Sequence, residues 1–130
     1  MVLKRSGEDF HVFSGLEEGR KLYYLSTTRQ LVKPLTDEAL AELVALLSTE
    51  IAPSAGQTPG IQNMSWMLST DRTRFQSFSG WLSPDGPSVA SENPTHLRNA
   101  ERTTKLLGEF AVPPVTTFYE LLVDQRFGNR

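Results

Sequence analysis

Histidine and cysteine are the side chains that most often carry catalysis or metal binding, and this sequence has few of them. It contains two histidines, His11 and His96, and no cysteine. The missing thiols exclude disulfides, thiolate zinc sites, iron–sulfur clusters and cysteine nucleophiles. Neither histidine has a second ligand or a carboxylate at the spacing of a metal site. We therefore interpret both histidines as incidental and predict no metal site.

Sequence motifs for nucleotide binding and for hydrolysis are also missing. The chain has no H-E-x-x-H, no G-x-S-x-G, no Walker loop and no G-x-G-x-x-G. The segment from Gly56 to Gly60 lacks a following lysine, so we predict a loop rather than a phosphate cradle. The sequence thus predicts no catalytic residue, no cofactor and no enzyme. The alternative is a small enzyme or ligand-binding domain with a pocket between sheet and helices.

Acidic side chains are concentrated in one segment. Residues 36–70 include four acidic side chains and no basic one, although the net charge of the chain is only −2. Asp37, Glu38 and Glu42 lie near the start of the clearest predicted helix, on its predicted solvent side. Such a face complements a basic partner and steers its association. We predict that these three residues bind another protein.

Two tryptophans supply the predicted apolar part of that interface. Trp66 and Trp81 fall in predicted strands with large side chains, and one of them is expected to face outward as an anchor. The segment from Ser83 to Asn93, which includes Asp85, has turn chemistry and is longer than most loops. The predicted partner-binding residues are Asp37, Glu38, Glu42, Trp66, Trp81 and Asp85.

Basic residues allow a third interpretation. Arg72 and Arg74 lie in and beside a predicted hairpin turn, and Arg98 and Arg102 are four positions apart on a predicted helix. Arginines beside aromatic residues can hold phosphates and stack bases. A nucleic-acid or assembly role requires all four arginines on one surface. The acidic overall charge disfavours nucleic acid as a partner.

The strands that would position these residues begin with a hairpin. Residues 10–13 and 21–27 are predicted strands that pair across a glycine-containing turn. Residues 63–68 and 74–82 are predicted as two further strands on either side of a polar turn.

The first predicted helix has the clearest signals. Thr36 is a good N-cap, and Pro53 is expected to end the helix. Its predicted apolar stripe consists of Leu40, Leu43, Val44, Leu47 and Ile51.

A second helix is predicted to begin after Asn93 and to end at Gly108. Its predicted apolar stripe is Leu97, Ala100, Thr104 and Leu107. The tail beyond Pro113 fits two structures: a capping box at Thr117 favours a helix, whereas the β-branched and aromatic residues of 117–123 favour a strand.

This order of elements predicts an α+β domain, mainly an antiparallel sheet of about 4–5 strands with two or three helices packed on it. With 130 residues, a single domain over 1–130 is expected, and residues 1–8 are a candidate for disorder. The N-terminus has no apolar run of signal-peptide length, and no window reaches the roughly 18 apolar residues of a membrane span. We predict a soluble, cytoplasmic protein.

The sequence therefore predicts a protein-binding module, such as a small inhibitor or immunity (antitoxin-like) protein that neutralises a partner enzyme or toxin. The expected partner is another protein, basic in charge, and the chain can also form a homo-oligomer. Neither a membrane nor a cofactor is expected.

Overall fold

Two antiparallel sheets are present in the computed structural model, which describes the backbone of residues 2–5, 8–14 and 22–128 and the side chains of 22–125, 127 and 128. The strands within these residues are β1 (Val2–Arg5), β2 (Glu8–Ser14), β3 (Tyr23–Gln30), β4 (Ile61–Leu68), β5 (Arg74–Trp81), β6 (Val115–Glu120) and β7 (Val123–Phe127). The strand order is β1-β2-β7 in one sheet and β4-β5-β3-β6 in the other.

The helices connect strands of the four-stranded sheet. They are α1 (Asp37–Leu46), a π-helical turn (Leu47–Ile51), α2 (Ala52–Gly56), α3 (Gly86–Glu92), α4 (Pro94–Leu107) and a 3-10 turn (Gly108–Phe110). Strands β3 and β4 both pair antiparallel with β5, and β5 and β6 both pair antiparallel with β3. The chain thus forms two interleaved βαβ units with their helices on one face of the sheet. The predicted α+β class and antiparallel sheet are confirmed.

The first helix begins as the sequence predicts. The Thr36 hydroxyl accepts a hydrogen bond from the Ala39 N–H at 3.1 Å, which caps α1. Leu43, Leu47 and Ile51 are buried in the core. Val44 is 53% exposed, so the buried stripe is narrower than the predicted one.

Pro53 does not end the first helix, contrary to the sequence prediction. The helical segment continues through Pro53 to Gly56. The turn before it is widened, and the Ala52 N–H bonds to the Leu47 carbonyl five residues earlier. A widened turn relieves the clash between a proline ring and the preceding turn and accommodates the missing N–H. This extension carries Ala55 and Ser54 over the sheet.

The segment Asp37–Gly56 is long and apolar enough, by length and composition alone, to cross a membrane, with a mean hydropathy of 1.2 in its most apolar window. In the folded chain its apolar side chains Leu43, Leu47 and Ile51 pack against Phe75 of the sheet. Three of its apolar side chains therefore belong to the core between helix and sheet, and the soluble, cytoplasmic state stays a prediction.

The predicted opening hairpin does not form. Strand β2 pairs with β1 and β7, whereas β3 pairs with β5 and β6. The predicted hairpin would pair β2 with β3. Both edges of β3 are instead occupied by β5 and β6, which are distant in sequence. The predicted turn at 15–20 lies outside the described residues, as do Met1, Ser6 and Gly7 of the segment 1–8, whose residues 2–5 form β1.

The second half of the chain contains one more helix than predicted. The predicted loop between Ser83 and Asn93 holds α3, which starts with Gly86 and Pro87, because proline is favoured in a first helical turn. The predicted caps of α4 are confirmed: the Asn93 side chain accepts from the Thr95 N–H at 2.8 Å, and Gly108 has a φ of +48°. The tail forms strands β6 and β7, so the strand alternative is confirmed.

Side chains on β5 alternate between the two faces of the sheet. Phe75, Ser77, Ser79 and Trp81 face the helices, and the neighbouring strands place Arg29 opposite Phe75 and Trp66 opposite Ser77. Two large aromatic side chains thus flank two small serines in the middle of the sheet.

Candidate functional site

A cavity of about 60 Å³ lies between the four-stranded sheet and helices α2, α3 and α4. Ser77 and Ser79 form its floor, because their small side chains leave space between Phe75 and Trp81. The volume is enough for a few water molecules. Among the described residues that line the cavity there is no aspartate or glutamate, whereas Arg29 and His96 both line it.

Arg29 on β3 is the charged residue of this cavity. It is only 3% exposed. Its guanidinium donates to the Thr104 hydroxyl at 2.6 Å and to the Ala100 carbonyl at 3.1 Å, and both of these acceptors on α4 are neutral. Among the described residues, no carboxylate forms an ion pair with it. Burial lowers the pKa of Arg29, but a guanidinium stays protonated in proteins, so the cavity wall carries a buried positive charge.

Helix α4 turns a polar side toward the cavity. His96, Asn99, Ala100 and Thr103 follow the i, i+3, i+4, i+7 spacing of one helical face, and all four line the cavity. Asn99 and Thr103 are buried. The predicted apolar stripe is wrong at Leu97 and at Thr104, because both are exposed.

The buried polar groups of this helical face are hydrogen-bonded. The Asn99 side-chain amide donates to the Ser54 hydroxyl of α2 at 3.0 Å, and the Thr103 hydroxyl donates to the Asn99 carbonyl at 2.8 Å. Buried amides and hydroxyls are tolerated when they are paired in this way. The Asn99–Ser54 pair joins α4 to the extension of the first helix beyond Pro53.

His96 is the titratable group of the cavity with chemistry near neutral pH. Burial lowers the pKa of its imidazole from the ordinary value of 6.5. The ring is therefore neutral at pH 7, with one nitrogen free to accept a proton. The sequence analysis interpreted His96 as incidental because it found no carboxylate or second ligand at metal-site spacing, and it did not foresee that His96 lines a cavity.

Both tryptophans line the cavity, so neither is the outward-facing anchor that the sequence suggested. Trp81 is 5% exposed, and its indole N–H donates to the Ser79 hydroxyl at 3.0 Å. A Cβ on Gly86 would lie 2.6 Å from the Trp81 Cβ, so only glycine lets α3 approach this closely. Trp66 is half-buried and packs at the edge of the core. The two indoles give the cavity flat apolar walls.

The predicted acidic partner-binding residues lie on the solvent side of the molecule. Glu38 and Glu42 are exposed, and the Asp37 carboxylate accepts from Arg72 at 2.6 Å. Asp85 is exposed just before α3 and makes no capping hydrogen bond with its side chain. None of these four carboxylates lines the cavity.

The four arginines of the nucleic-acid interpretation lie on two parts of the molecule. Arg72 and Arg74 are at the end of the β4–β5 hairpin, whereas Arg98 and Arg102 lie on the exposed side of α4. Arg102 is 3.9 Å from Glu50, and Arg72 is paired with Asp37. Two of the four arginines are thus paired with carboxylates, and the four are divided between the hairpin and α4. They do not form the single basic surface that a nucleic-acid or assembly role requires.

No group of three or more His, Asp or Glu side chains with metal-site geometry occurs among the residues that the structure describes. His11 belongs to β2, and its side chain lies outside the described residues.

Sequence reasoning missed the central residues of the cavity, Arg29, His96, Asn99 and Thr103. The available signal was the spacing of His96, Asn99, Thr103 and Leu107, which places them on one side of α4. Arg29 gave a weaker signal: it lies two residues beyond the predicted strand 21–27, and it shares a face with Leu25 only because the strand continues to Gln30.

No protein-family model matches the chain, and no curated protein matches it either. Solved structures do resemble it. The monooxygenase from the gene ActVA-Orf6 of Streptomyces coelicolor, in complex with the ligand Nanaomycin D, is similar with a TM-score of 0.60 and 21% identity, over 75% of this chain and 84% of that one.

Two further structures resemble the chain. A dimeric protein of unknown function and ferredoxin-like fold from Bacteroides fragilis is similar with a TM-score of 0.57 and 14% identity, over 77% of this chain and 96% of that one. A mutant of SnoaB, a cofactor-independent oxygenase from Streptomyces nogalater, is similar with a TM-score of 0.52 and 13% identity, over 76% of this chain and 90% of that one.

The prediction of a non-enzymatic inhibitor or immunity protein is wrong. Two of these three similar structures are oxygenases, and the chemically capable side chains Arg29 and His96 face an internal cavity rather than an outer binding surface. The alternative, a small enzyme or ligand-binding domain with a pocket between sheet and helices, fits this cavity. At these identities the likeness establishes the fold, and this chain has a ferredoxin-like α+β fold.

Proposed function

We propose that this chain is a small enzyme of the oxygenase type, which binds a planar small molecule in the cavity between sheet and helices. The observation that carries the proposal is the cavity itself, where the neutral imidazole of His96 and the buried guanidinium of Arg29 share walls with two indoles. Largely apolar pockets with a few convergent polar groups are the usual form of small-molecule sites. The similarity in fold to a monooxygenase and to a cofactor-independent oxygenase supports the reaction class.

The shape of the cavity supports a flat substrate. Trp66, Phe75 and Trp81 contribute aromatic surfaces, and such surfaces favour stacked or edge-on contacts with other rings. The free volume of about 60 Å³ holds only a few water molecules, so binding of a ring-sized ligand requires side chains to move aside. Met64 lines the cavity and is flexible enough to do so.

The chemistry of such an oxygenase assigns a role to each polar group. Where no cofactor takes part, the substrate itself must reduce O2, and an activated CH2 group becomes C=O while the second oxygen atom leaves as water. Removal of a proton from that CH2 group starts the reaction by forming an electron-rich anion. A neutral His96 nitrogen accepts this proton, and the positive charge of Arg29 stabilises the anion in a site of low polarity.

Oxygen uptake tests this proposal. The purified protein is supplied with cyclic 1,3-diketones and with aryl-substituted ketones, which carry an activated CH2 group and whose anions react with O2, and consumption is recorded with an oxygen electrode. We expect saturable uptake that His96→Gln reduces by about 10²- to 10⁴-fold. Leu97→Ala is the matched control, because Leu97 is the adjacent residue on the exposed side of α4. Uptake that is absent with every class, or unchanged in His96→Gln, would contradict the proposal.

We also propose that the chain acts as a homodimer. Structures of similar fold from Bacteroides fragilis and Thermobifida fusca are dimeric. On the sheet face opposite the helices, Met67, Val115 and Tyr119 are all largely exposed apolar side chains. Sedimentation velocity should give a dimer in the wild type and a monomer in Met67→Glu, with Val89→Glu, an exposed position on α3, as control. A wild-type monomer at all concentrations would refute the dimer.

A further inference from the structure

We propose that the small molecule binds as an oxyanion, with its negatively charged oxygen held by Arg29 and its planar body lying across β5 toward Trp66. This inference rests on the proposed small-molecule site and adds the charge and orientation of the substrate. The shared chemistry is an ionised oxygen on a flat ring, whether from a carboxylic acid or from an acidic phenol.

The state of Arg29 is the first observation. The side chain is 3% exposed and lines the cavity. Its hydrogen-bond acceptors, the Thr104 hydroxyl and the Ala100 carbonyl, carry no charge. Burying an unpaired ionic group is costly, and folded proteins normally pair such a group with an opposite charge. Within the described residues this counter-charge is missing, so an anionic ligand would complete the site.

The remaining lining is the second observation. Alongside Arg29 and His96, the polar side chains that the structure describes in the cavity are hydroxyls and one amide: Thr27, Thr58, Ser77, Ser79, Thr95, Asn99 and Thr103. With no described carboxylate among them, the charge in the cavity is positive, and a cationic ligand would meet repulsion from Arg29. The charge of the wall thus selects anions over cations.

The register of the sheet gives the orientation. Arg29 on β3 is opposite Phe75 on β5, and Trp66 on β4 is opposite Ser77 on β5. Strands β3 and β4 are separated by β5, so their axes are about 10 Å apart. A benzene ring with a carboxylate spans a distance of this order. The oxyanion would lie at the β3 side and the ring over the small side chain of Ser77, against Trp66.

A purely structural role for Arg29 is the competing explanation. In that case its two hydrogen bonds simply fasten β3 to α4, and the cavity would have no preference for ligand charge. The two explanations differ in one measurable property, which is the affinity for an anion relative to a neutral molecule of the same shape.

Benzoate and benzamide form such a pair and are the probes for the carboxylate source. Binding is followed by tryptophan fluorescence and by calorimetry at pH 7 and low salt. We expect benzoate to bind at least about tenfold more tightly than benzamide, as one charge-assisted hydrogen bond provides. Arg29→Met should remove this preference and Arg29→Lys should keep part of it, whereas Arg98→Met, on the exposed side of α4, should keep all of it.

4-Nitrophenol is the probe for the phenol source, because its ionised form has a distinct visible absorbance. At a pH slightly below its solution pKa, wild-type protein should increase the phenolate absorbance, and Arg29→Met should not. A response to benzoate alone assigns the oxyanion to a carboxylate. A response to 4-nitrophenol alone assigns it to a phenolate, and both results support the inference.

Three outcomes would overturn the inference, and they are distinguishable. Equal binding of benzoate and benzamide, with no ionisation of 4-nitrophenol, removes the anion preference but leaves the small-molecule cavity in place. No binding of any probe removes the cavity as a ligand site and the proposed function with it. A preference that survives in a folded Arg29→Met variant, as judged by circular dichroism, assigns the charge selectivity to another group. If Arg29→Met does not fold, Arg29→Lys must still show a weakened preference.

Discussion

Helices α1 and α4 cover the same face of one sheet, and they bury opposite kinds of side chains. The first helix and its extension contribute Leu43, Leu47 and Ile51 to a continuous apolar core with Phe75. Helix α4 buries Asn99 and Thr103 and reaches that core with Leu106 and Leu107 in its last turn. The layer between sheet and helices is therefore solid under α1 and hollow under most of α4.

This difference shows that apolar packing is less complete under α4, where polar side chains line the cavity. A buried polar group contributes less to stability than a well-packed apolar one, and it is tolerated when its hydrogen bonds are made. Helix α4 satisfies this condition through Ser54, which lies on the segment that continues past Pro53. The side chains that leave space, Ser77 and Ser79, belong to the strand between Arg29 and Trp66. The comparison predicts that changes under α1 affect stability and changes under α4 affect binding.

The largest expected effect on stability is at Leu43, which is 1% exposed. Leu43→Ala removes buried apolar contacts and leaves a void, which should lower the free energy of unfolding by about 2–5 kcal/mol. Urea denaturation followed by circular dichroism measures the change. Val44→Ala on the exposed side of the same helix is the control and should cost less than about 0.5 kcal/mol. Similar losses in both variants would show that the layer under α1 is not a solid core.

A smaller effect on stability and a large effect on binding are expected at Asn99. Asn99→Leu makes α4 resemble α1 by filling the cavity with an apolar side chain. The free energy of unfolding should change by less than about 1.5 kcal/mol, since the lost pair with Ser54 is offset by apolar burial. Benzoate binding and oxygen uptake should be lost because the cavity is filled. Full retention of both would mean that ligands bind elsewhere.

The smallest effect is the pH dependence that His96 imposes on stability. Its pKa is lowered in the folded chain by burial, so the unfolded chain binds the proton more readily. This contribution to stability is complete above the ordinary pKa of 6.5 and declines as the pH falls below it. Urea denaturation measures the free energy of unfolding at each pH. Between pH 8 and pH 5 this free energy should therefore fall further for the wild type than for His96→Gln. Parallel losses in both proteins would contradict a half-buried, neutral His96.

Much of the fold could be predicted from local signals. The Thr36 and Asn93 caps, Gly108 and the strands of the β4–β5 hairpin follow from residue chemistry within a few positions, and all were predicted. The pairing of β2 with β7 depends on residues more than a hundred positions apart, which local patterns do not encode. Helix α3 was not predicted, because its first residues, Gly86 and Pro87, are equally typical of a loop.

The candidate site was harder to predict than the fold, for a physical reason. His96, Asn99 and Thr103 are residue types that usually face solvent, so a sequence pattern assigns them to the outside of α4. This side of α4 faces the interior only because the sheet lies next to it, with Ser77 and Ser79 opposite these residues across the cavity. Arg29 looked like an ordinary charged residue for the same reason, because its burial depends on contact with Thr104, 75 positions away.

The most direct test of the account is a side-chain NMR titration of the folded protein with benzoate. We predict that the His96 imidazole signal, assigned with His96→Gln, and the indole signals of Trp66 and Trp81 shift together along one saturable curve. The methyl signals of Val44, on the exposed side of α1, should not move. Shifts confined to Val44 and its neighbours, or no saturable shift at His96 and the two indoles, would contradict the assignment of the cavity as the functional site.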